Sequence, residues 1–255
     1  MLKIHHIRNA TFIIETGKLF ILVDPMLGDK ASIPSFTYLR HKARKNPIIS
    51  LPSNYKEMLD KTTHCIITHK HPDHFDKEGR AFLKQRNIPV YCSKKDSKDF
   101  RKIGLNIQKP IGYWTKQSFL GGTITGIPAQ HGYGFIKMAM GNVMGYYVEL
   151  PNIPSIYISS DTIFTSAVDR VLSEMKPELC VLACGSAQMD IGKPILMHME
   201  DIILFVKNAD KLVYANHLEA VNHCPTTRKH LTERLRREGL LEKVFIPDDG
   251  EIFTV

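Results

Sequence analysis

The stretch Thr68-His69-Lys70-His71-Pro72-Asp73-His74 is the most informative part of the chain. It carries three histidines and one aspartate within six residues, directly after the apolar segment Cys65-Ile66-Ile67. Residues at i and i+2 of an extended segment point the same way, so His69 and His71 can converge, and Pro72 fixes the bend that follows. Because neutral imidazoles and carboxylates are ligands of zinc-like ions, this spacing predicts a metal site rather than a polar loop with chance histidines.

Three further segments place a histidine or an aspartate after a predicted strand. They are Gly126-Ile127-Pro128-Ala129-Gln130-His131, Ile156-Tyr157-Ile158-Ser159-Ser160-Asp161-Thr162 and Leu212-Val213-Tyr214-Ala215-Asn216-His217. Together with His69-x-His71-x-Asp73-His74, and in this order, they resemble the signature of the metallo-β-lactamase-fold hydrolase superfamily. The resemblance covers nearly the whole chain. One departure is Ser160, where relatives usually carry glycine, and it bears on the backbone beside Asp161 rather than on the ligand atoms.

The resemblance implies two divalent metal ions, with zinc expected and manganese or iron also compatible with imidazole and carboxylate ligands. The two ions would share a hydroxide that attacks a carbonyl carbon or phosphorus, and Asp73 would also orient or deprotonate that nucleophile as a catalytic residue. By carry-over, the first ion is held by His69, His71 and His131, the second by Asp73, His74 and His217, and Asp161 bridges them. His217 is favoured over His223 as the ligand because it directly follows a strand.

The rest of the chain alternates strands and helices in two similar halves, without a linker or a short-period repeat. This order predicts one domain over residues 1–255 of the α/β (α+β) class: a four-layer αββα sandwich, with two mixed sheets inside and helices outside. Strands are predicted at 3–6, 11–16, 20–24, 65–67, 89–92, 119–127, 145–150, 156–159, 179–183, 211–215, 244–247 and 251–255. Helices are predicted at 55–60, 77–87, 96–103, 168–175, 199–208 and 226–238.

Composition sets broader bounds. The chain is 43% hydrophobic and 24% charged, which excludes a disordered or collagen-like protein. No apolar run approaches the ~20 residues of a membrane span, and the first six residues lack the apolar stretch of a signal peptide. The five cysteines contain no CxxC pair, which favours reduced thiols and a cytoplasmic protein. The formal charge of +8 is compatible with an anionic partner, but a solvated basic surface is the simpler reading.

Among branches of the superfamily, the chain looks closest to the ascorbate-6-phosphate lactonase-like group. The residues that carry this likeness are Asp24-Pro25-Met26-Leu27 and the segment from Asn216 to Cys224. Many relatives have Gly-His where this chain has Arg8-Asn9, so Asn9 would offer a neutral amide to the substrate. The implied substrate is a small molecule, either a lactone, an ester or a phosphodiester. A homo-oligomer is compatible with this group.

Two irregular loops, 28–53 and 132–142, are expected to rim the metal cleft and to set specificity. Tyr133 and Lys137 in the second loop, and His223 further on, are candidate substrate contacts. The basic stretch 40–45 could pair with a phosphate, or it could be a solvated loop. Two alternatives to the small-molecule hydrolase remain: an RNA-processing phosphodiesterase, suggested by the basic charge but lacking an RNA-gripping arm, and a non-catalytic metal-binding scaffold.

Overall fold

The computed structural model describes all residues from 1 to 255 and contains strands and helices in both halves of the chain. The strands are β1 (Leu2–Arg8), β2 (Thr11–Thr16), β3 (Leu19–Val23), β4 (His64–Ile67), β5 (Pro89–Ser93), β6 (Asn106–Ile111), β7 (Lys116–Phe119), β8 (Gly122–Pro128), β9 (Met144–Glu149), β10 (Ile156–Ile158), β11 (Leu179–Ala183), β12 (Leu212–Asn216), β13 (Val244–Phe245) and β14 (Ile252–Thr254). The helices are α1 (Tyr55–Asp60), α2 (Lys77–Gln85), α3 (Ser97–Lys102), α4 (Ile136–Ala139), α5 (Ser166–Arg170), α6 (Met199–Asn208) and α7 (Arg228–Arg237). A π-helical turn, Val171–Met175, continues α5. No helix is both long and apolar enough to cross a bilayer.

The strands form two seven-stranded mixed sheets with matching plans. The first has the order β14-β1-β2-β3-β4-β5-β6 and the second the order β13-β12-β11-β10-β9-β8-β7. In the first sheet, β14 to β3 pair antiparallel and β3 to β6 pair parallel. In the second, β7 to β10 pair antiparallel and β10 to β13 pair parallel. This confirms the predicted pair of mixed sheets.

Three apolar layers hold the sheets and helices together. The central layer lies between the sheets and joins residues of both, such as Phe12 from β2 and Tyr146 from β9. A second layer packs α1, α2 and α3 on the outside of the first sheet, and a third packs α5, α6 and α7 on the outside of the second. Burial of apolar surface in three successive layers produces the αββα sandwich that the alternation of strands and helices predicted.

Several predicted elements match the structure residue for residue, including β2, β11, α1 and α6. The prediction of one continuous strand over 119–127 is wrong, because β7 and β8 form a hairpin there. Its turn places Leu120 at φ 50° and Gly121 at φ 86°, a reversal that the apolar sequence did not reveal. Strand β6 was not predicted, since Lys109 and Pro110 interrupt its apolar pattern. The loop 132–142 contains the short helix α4.

Candidate metal centre

The loops that follow β4, β8, β10 and β12 bring seven ligand-type side chains together in one buried cluster. The ring nitrogens of His69, His71 and His131 form one group whose ligand-type atoms lie within 4.8 Å of one another. Asp73, His74 and His217 form a second group under the same limit. These are the two triads that the family resemblance implied.

Asp161 lies between the two groups. Its carboxylate oxygens approach the Nε2 atoms of His74 at 3.1 Å, His131 at 3.4 Å and His217 at 3.6 Å. The Asp161 side chain is almost fully buried, so it is shielded from bulk water. A carboxylate that touches histidines of both triads is placed where one oxygen could serve each of two ions.

The ring nitrogens on the far side of these histidines are held by hydrogen-bond acceptors. Nδ1 of His74 lies 2.8 Å from the Asp24 carboxylate, and Nδ1 of His131 lies 2.7 Å from the carbonyl oxygen of Ile195. Because both partners accept, the neutral form of each ring carries its proton on Nδ1 and leaves the lone pair of Nε2 for a metal. Nε2 of His69 is buried without a partner, and the Nε2 atoms of His74 and His217 face each other at 3.1 Å. Converging ring nitrogens of this kind are the ligand atoms that a metal ion needs.

Asp24 also belongs to a third group of ligand-type atoms, with His69 and His74. Its carboxylate accepts from the backbone N–H of Thr68 at 2.7 Å and from the Thr68 hydroxyl at 2.6 Å, in addition to His74. All three hydrogen bonds come from Thr68 and His74, at the two ends of the histidine-rich loop. The Asp24 carboxylate is therefore placed to orient this loop.

The backbone around the cluster adopts left-handed conformations at residues that are not glycine. Asn9, Asp24, Ser160 and His217 have φ values of 57°, 47°, 58° and 58°. Such conformations cost free energy at residues with a Cβ atom and concentrate at functional sites. At Ser160 the structure explains why glycine suits this position in relatives.

Electrostatics in the cluster favour ionised carboxylates. Burial alone would raise the pKa of Asp161, but the facing histidines His74 and His217 hold it well below its ordinary value. Burial lowers the pKa of His131, and burial with neighbouring histidines lowers that of His69 well below 6.5. Burial would also lower the pKa of His74 and His217, but the facing Asp161 carboxylate outweighs it and raises the pKa of His74 to about 10 and that of His217 well above 6.5. A metal ion bound by these two rings would therefore displace a proton from each of them.

A pocket of about 150 Å³ opens beside the first triad. His71, Asp73 and His131 form its floor, and its walls are mainly apolar. The remaining lining residues are Phe36, Pro72, Met140, Met189, Ile195 and His223. No lysine or arginine lines it, so the pocket suits an uncharged, partly apolar group.

The predicted substrate contacts lie in different places. His223 lines the pocket and packs edge-on against Phe36, with ring centroids 4.9 Å apart. Asn9 is fully buried beneath the cluster, where its amide donates to the backbone oxygen of Asp73 at 2.9 Å. Tyr133 and Lys137 are exposed and do not line the pocket.

Besides Asp24, two supporting residues were missed from the sequence. Asn222 ties the long loop to the site: its side-chain oxygen accepts from the backbone N–H of Phe36 at 3.0 Å and from the Asn46 amide at 3.1 Å. Cys224 lies behind His217, with Sγ 3.4 Å from Nδ1. Both flank His223 in the sequence, and that adjacency was the available signal.

The fold and the cluster define a metal-dependent hydrolase of the metallo-β-lactamase type. Residues 20–217 match the model of the β-lactamase superfamily domain. The chain is 30% identical to the UPF0173 protein YddR of Bacillus subtilis (strain 168) over 99% of this chain and 100% of that protein. It therefore belongs to the β-lactamase superfamily and, within it, to the UPF0173 group, some of whose members are named metal-dependent hydrolases, as in Brucella abortus (23% identity over 72% of each chain).

Two solved structures are similar over their whole length. An isothiocyanate hydrolase from Delia radicum gut bacteria has 30% sequence identity and a TM-score of 0.90, with 99% of each chain covered. A possible metal-dependent hydrolase from Veillonella parvula DSM 2008 has 26% identity and a TM-score of 0.91, with 100% of each chain covered. The αββα sandwich of this chain is thus a shared architecture.

Proposed function

We propose that this protein is a dinuclear metal-dependent hydrolase of small, uncharged electrophiles. The observation that carries the proposal is the convergence of two histidine-rich triads on Asp161, beside an apolar pocket whose floor is formed by His71, Asp73 and His131. Metal ions bound there would act as Lewis acids and supply a water-derived nucleophile near neutral pH. Zinc is the first candidate ion, with manganese and iron as alternatives for the same ligands.

The pocket wall favours one kind of substrate among those that the sequence left open. Phe36, Met140, Met189 and Ile195 present apolar surface, and methionines adapt to differently shaped groups. The wall offers no cationic side chain to the negative charge of a phosphodiester. Burial of an apolar substituent against this wall is favourable, so a carbon electrophile that carries one would bind better. The similar isothiocyanate hydrolase makes isothiocyanates the first class to test, followed by lactones and esters.

The residues of this chain divide the work on such a substrate. The wall residues Phe36 and Met189 bind the apolar substituent, and this places the electrophilic carbon above the floor of the pocket. Asp73 faces the pocket with its carboxylate ionised, so it can orient the attacking water or accept its proton. Hydrolysis of an isothiocyanate consumes one water and releases an amine and carbonyl sulfide, which balances all atoms.

A substrate panel tests this proposal. Zinc-loaded protein is mixed with benzyl isothiocyanate, a γ-lactone, an aryl ester and bis-p-nitrophenyl phosphate, and the loss of each is followed spectroscopically. We expect turnover of the isothiocyanate or of the carbonyl substrates, which the exchanges His71→Ala and Asp161→Ala abolish. The matched control is His198→Ala, since that histidine is exposed and outside the pocket. Turnover of the phosphodiester alone would overturn the substrate assignment.

A further inference from the structure

The mouth of the metal pocket carries an unusual concentration of exposed apolar side chains. Three segments surround it, 36–45, 132–142 and 187–195, and we call them the cleft rim. Six of the chain's eleven exposed large hydrophobic residues lie there. Four are more than 70% exposed: Leu39 at 86%, Phe135 at 91%, Met138 at 75% and Ile191 at 82%. An apolar patch of this kind on a protein surface marks an interaction site.

The three segments form one continuous surface. The Asp190 carboxylate accepts from the backbone N–H groups of Tyr38, Leu39 and Arg40 at 2.9–3.1 Å, which joins the first segment to the third. A Cβ on Gly192 would lie 2.4 Å from Cδ1 of Ile136, so the second and third segments are in direct contact. Phe36, Met140, Met189 and Ile195 extend from all three segments into the pocket wall.

The cleft rim is also strongly basic. It holds six lysines and arginines against one acidic residue, a net charge of +5 out of +8 for the whole chain. The one acid, Asp190, is occupied by backbone N–H groups. The basic residues, which are all exposed, are Arg40, Lys42, Arg44, Lys45, Lys137 and Lys193.

We propose that the cleft rim docks on an anionic phospholipid surface, with Leu39, Phe135, Met138 and Ile191 entering the headgroup region and the basic residues binding lipid phosphates. Exposed apolar side chains interleaved with Lys and Arg are the combination that binds such interfaces. A second copy of this chain is disfavoured as the occupant, because two surfaces of the same positive charge repel each other. A nucleic acid would leave the outermost aliphatic groups without partners. Docked in this way, the pocket faces the membrane, from which apolar electrophiles can partition.

The test is co-sedimentation of the metal-loaded protein with vesicles of equimolar phosphatidylcholine and phosphatidylglycerol, and with pure phosphatidylcholine. We expect binding to the anionic vesicles only, and weaker binding as salt rises from about 0.1 M to about 0.5 M. The exchanges Leu39→Ser with Ile191→Ser, and separately Lys45→Glu with Lys193→Glu, should each weaken binding about tenfold or more. Leu204→Ser with Lys229→Glu is the matched control, since these residues are exposed on α6 and α7.

Three results would overturn the proposal. The first is no binding to either kind of vesicle. The second is unchanged binding by the Leu39/Ile191 variant, which would reduce the effect to unspecific charge attraction. The third is a dimer in sedimentation that the same variant dissociates, which would assign the rim to a second copy. Vesicle binding is measured without turnover, so its failure leaves the hydrolase proposal intact, and the reverse also holds.

Discussion

Asp24 holds the ring of His74 by a hydrogen bond, and its replacement by asparagine tests whether this bond supports metal binding. The exchange keeps the size of the side chain but gives one of its two oxygen positions to an NH₂ group. In the wild-type protein, one oxygen of the Asp24 carboxylate accepts from the Thr68 N–H, and the other accepts from the Thr68 hydroxyl and from His74 Nδ1. In either orientation of the amide, its NH₂ group faces a donor, the Thr68 N–H or the His74 Nδ1–H.

If the NH₂ group faces His74, the ring proton moves to Nε2 and occupies the lone pair that a metal needs. Loss of such a supporting partner costs about 10- to 100-fold in metal affinity, or about 1.4–2.8 kcal/mol. The assay is zinc competition against a chromogenic chelator at fixed pH. Asp249→Asn is the matched control, because Asp249 accepts from His6 and Arg228 and belongs to none of the groups of ligand-type atoms. We expect Asp249→Asn to lower stability without changing zinc affinity. A zinc affinity of Asp24→Asn within twofold of wild type would show that the Asp24–His74 hydrogen bond does not support metal binding.

Three further predictions concern the backbone and the pH dependence of stability. Ser160→Gly removes a strained left-handed backbone conformation and a buried hydroxyl without a partner. The free energy of unfolding should therefore rise by about 0.5–1 kcal/mol, measured as a higher Tm. A lower Tm would contradict this. Gly185→Ala puts a Cβ 2.4 Å from the carbonyl oxygen of His217. This clash should lower the free energy of unfolding in urea by about 1–3 kcal/mol and weaken zinc binding. Gly112→Ala is the control, because its Cβ would have its nearest contact at 3.3 Å and should lower the stability only slightly. Burial lowers the pKa of His6 below its ordinary 6.5, so the unfolded chain takes up this proton more readily, and stability should fall as the pH drops from about 7.5 to about 5.5. His6→Gln should show a smaller fall over this range, and an equal fall in both proteins would exclude His6 as a source.

The fold was predictable where local patterns and layer packing agree. Helix α1 and strand β11 lie at the predicted residues, since each has a simple apolar pattern within a short segment. The hairpin between β7 and β8 was missed because its turn depends on the backbone angles of Leu120 and Gly121 and on pairing with β9. Strand β6 owes its place to the parallel edge beside β5 rather than to its own sequence.

In the site, the ligand-type residues could be predicted from the sequence, whereas the contacts of the residues around them could not. The order of the motifs led to seven residues that the structure brings together, although their role as metal ligands stays a prediction. The carboxylate of Asp24 was not recognised as a partner of His74, because 50 residues separate them in sequence. The place of Asn9 also depends on tertiary packing, which buries its amide under Asp73 rather than exposing it to a substrate. Hydrogen bonds between distant loops leave no local pattern in a sequence.

The hydrolase proposal depends above all on two metal ions held by the two triads and Asp161. The most direct measurement is the metal content per chain, by elemental analysis, of untagged protein purified without chelator, and again after incubation with zinc, manganese or iron. We expect about two ions per chain, falling to about one or less in the Asp161→Ala variant. A content near zero in the wild type that persists after incubation with each metal would contradict it.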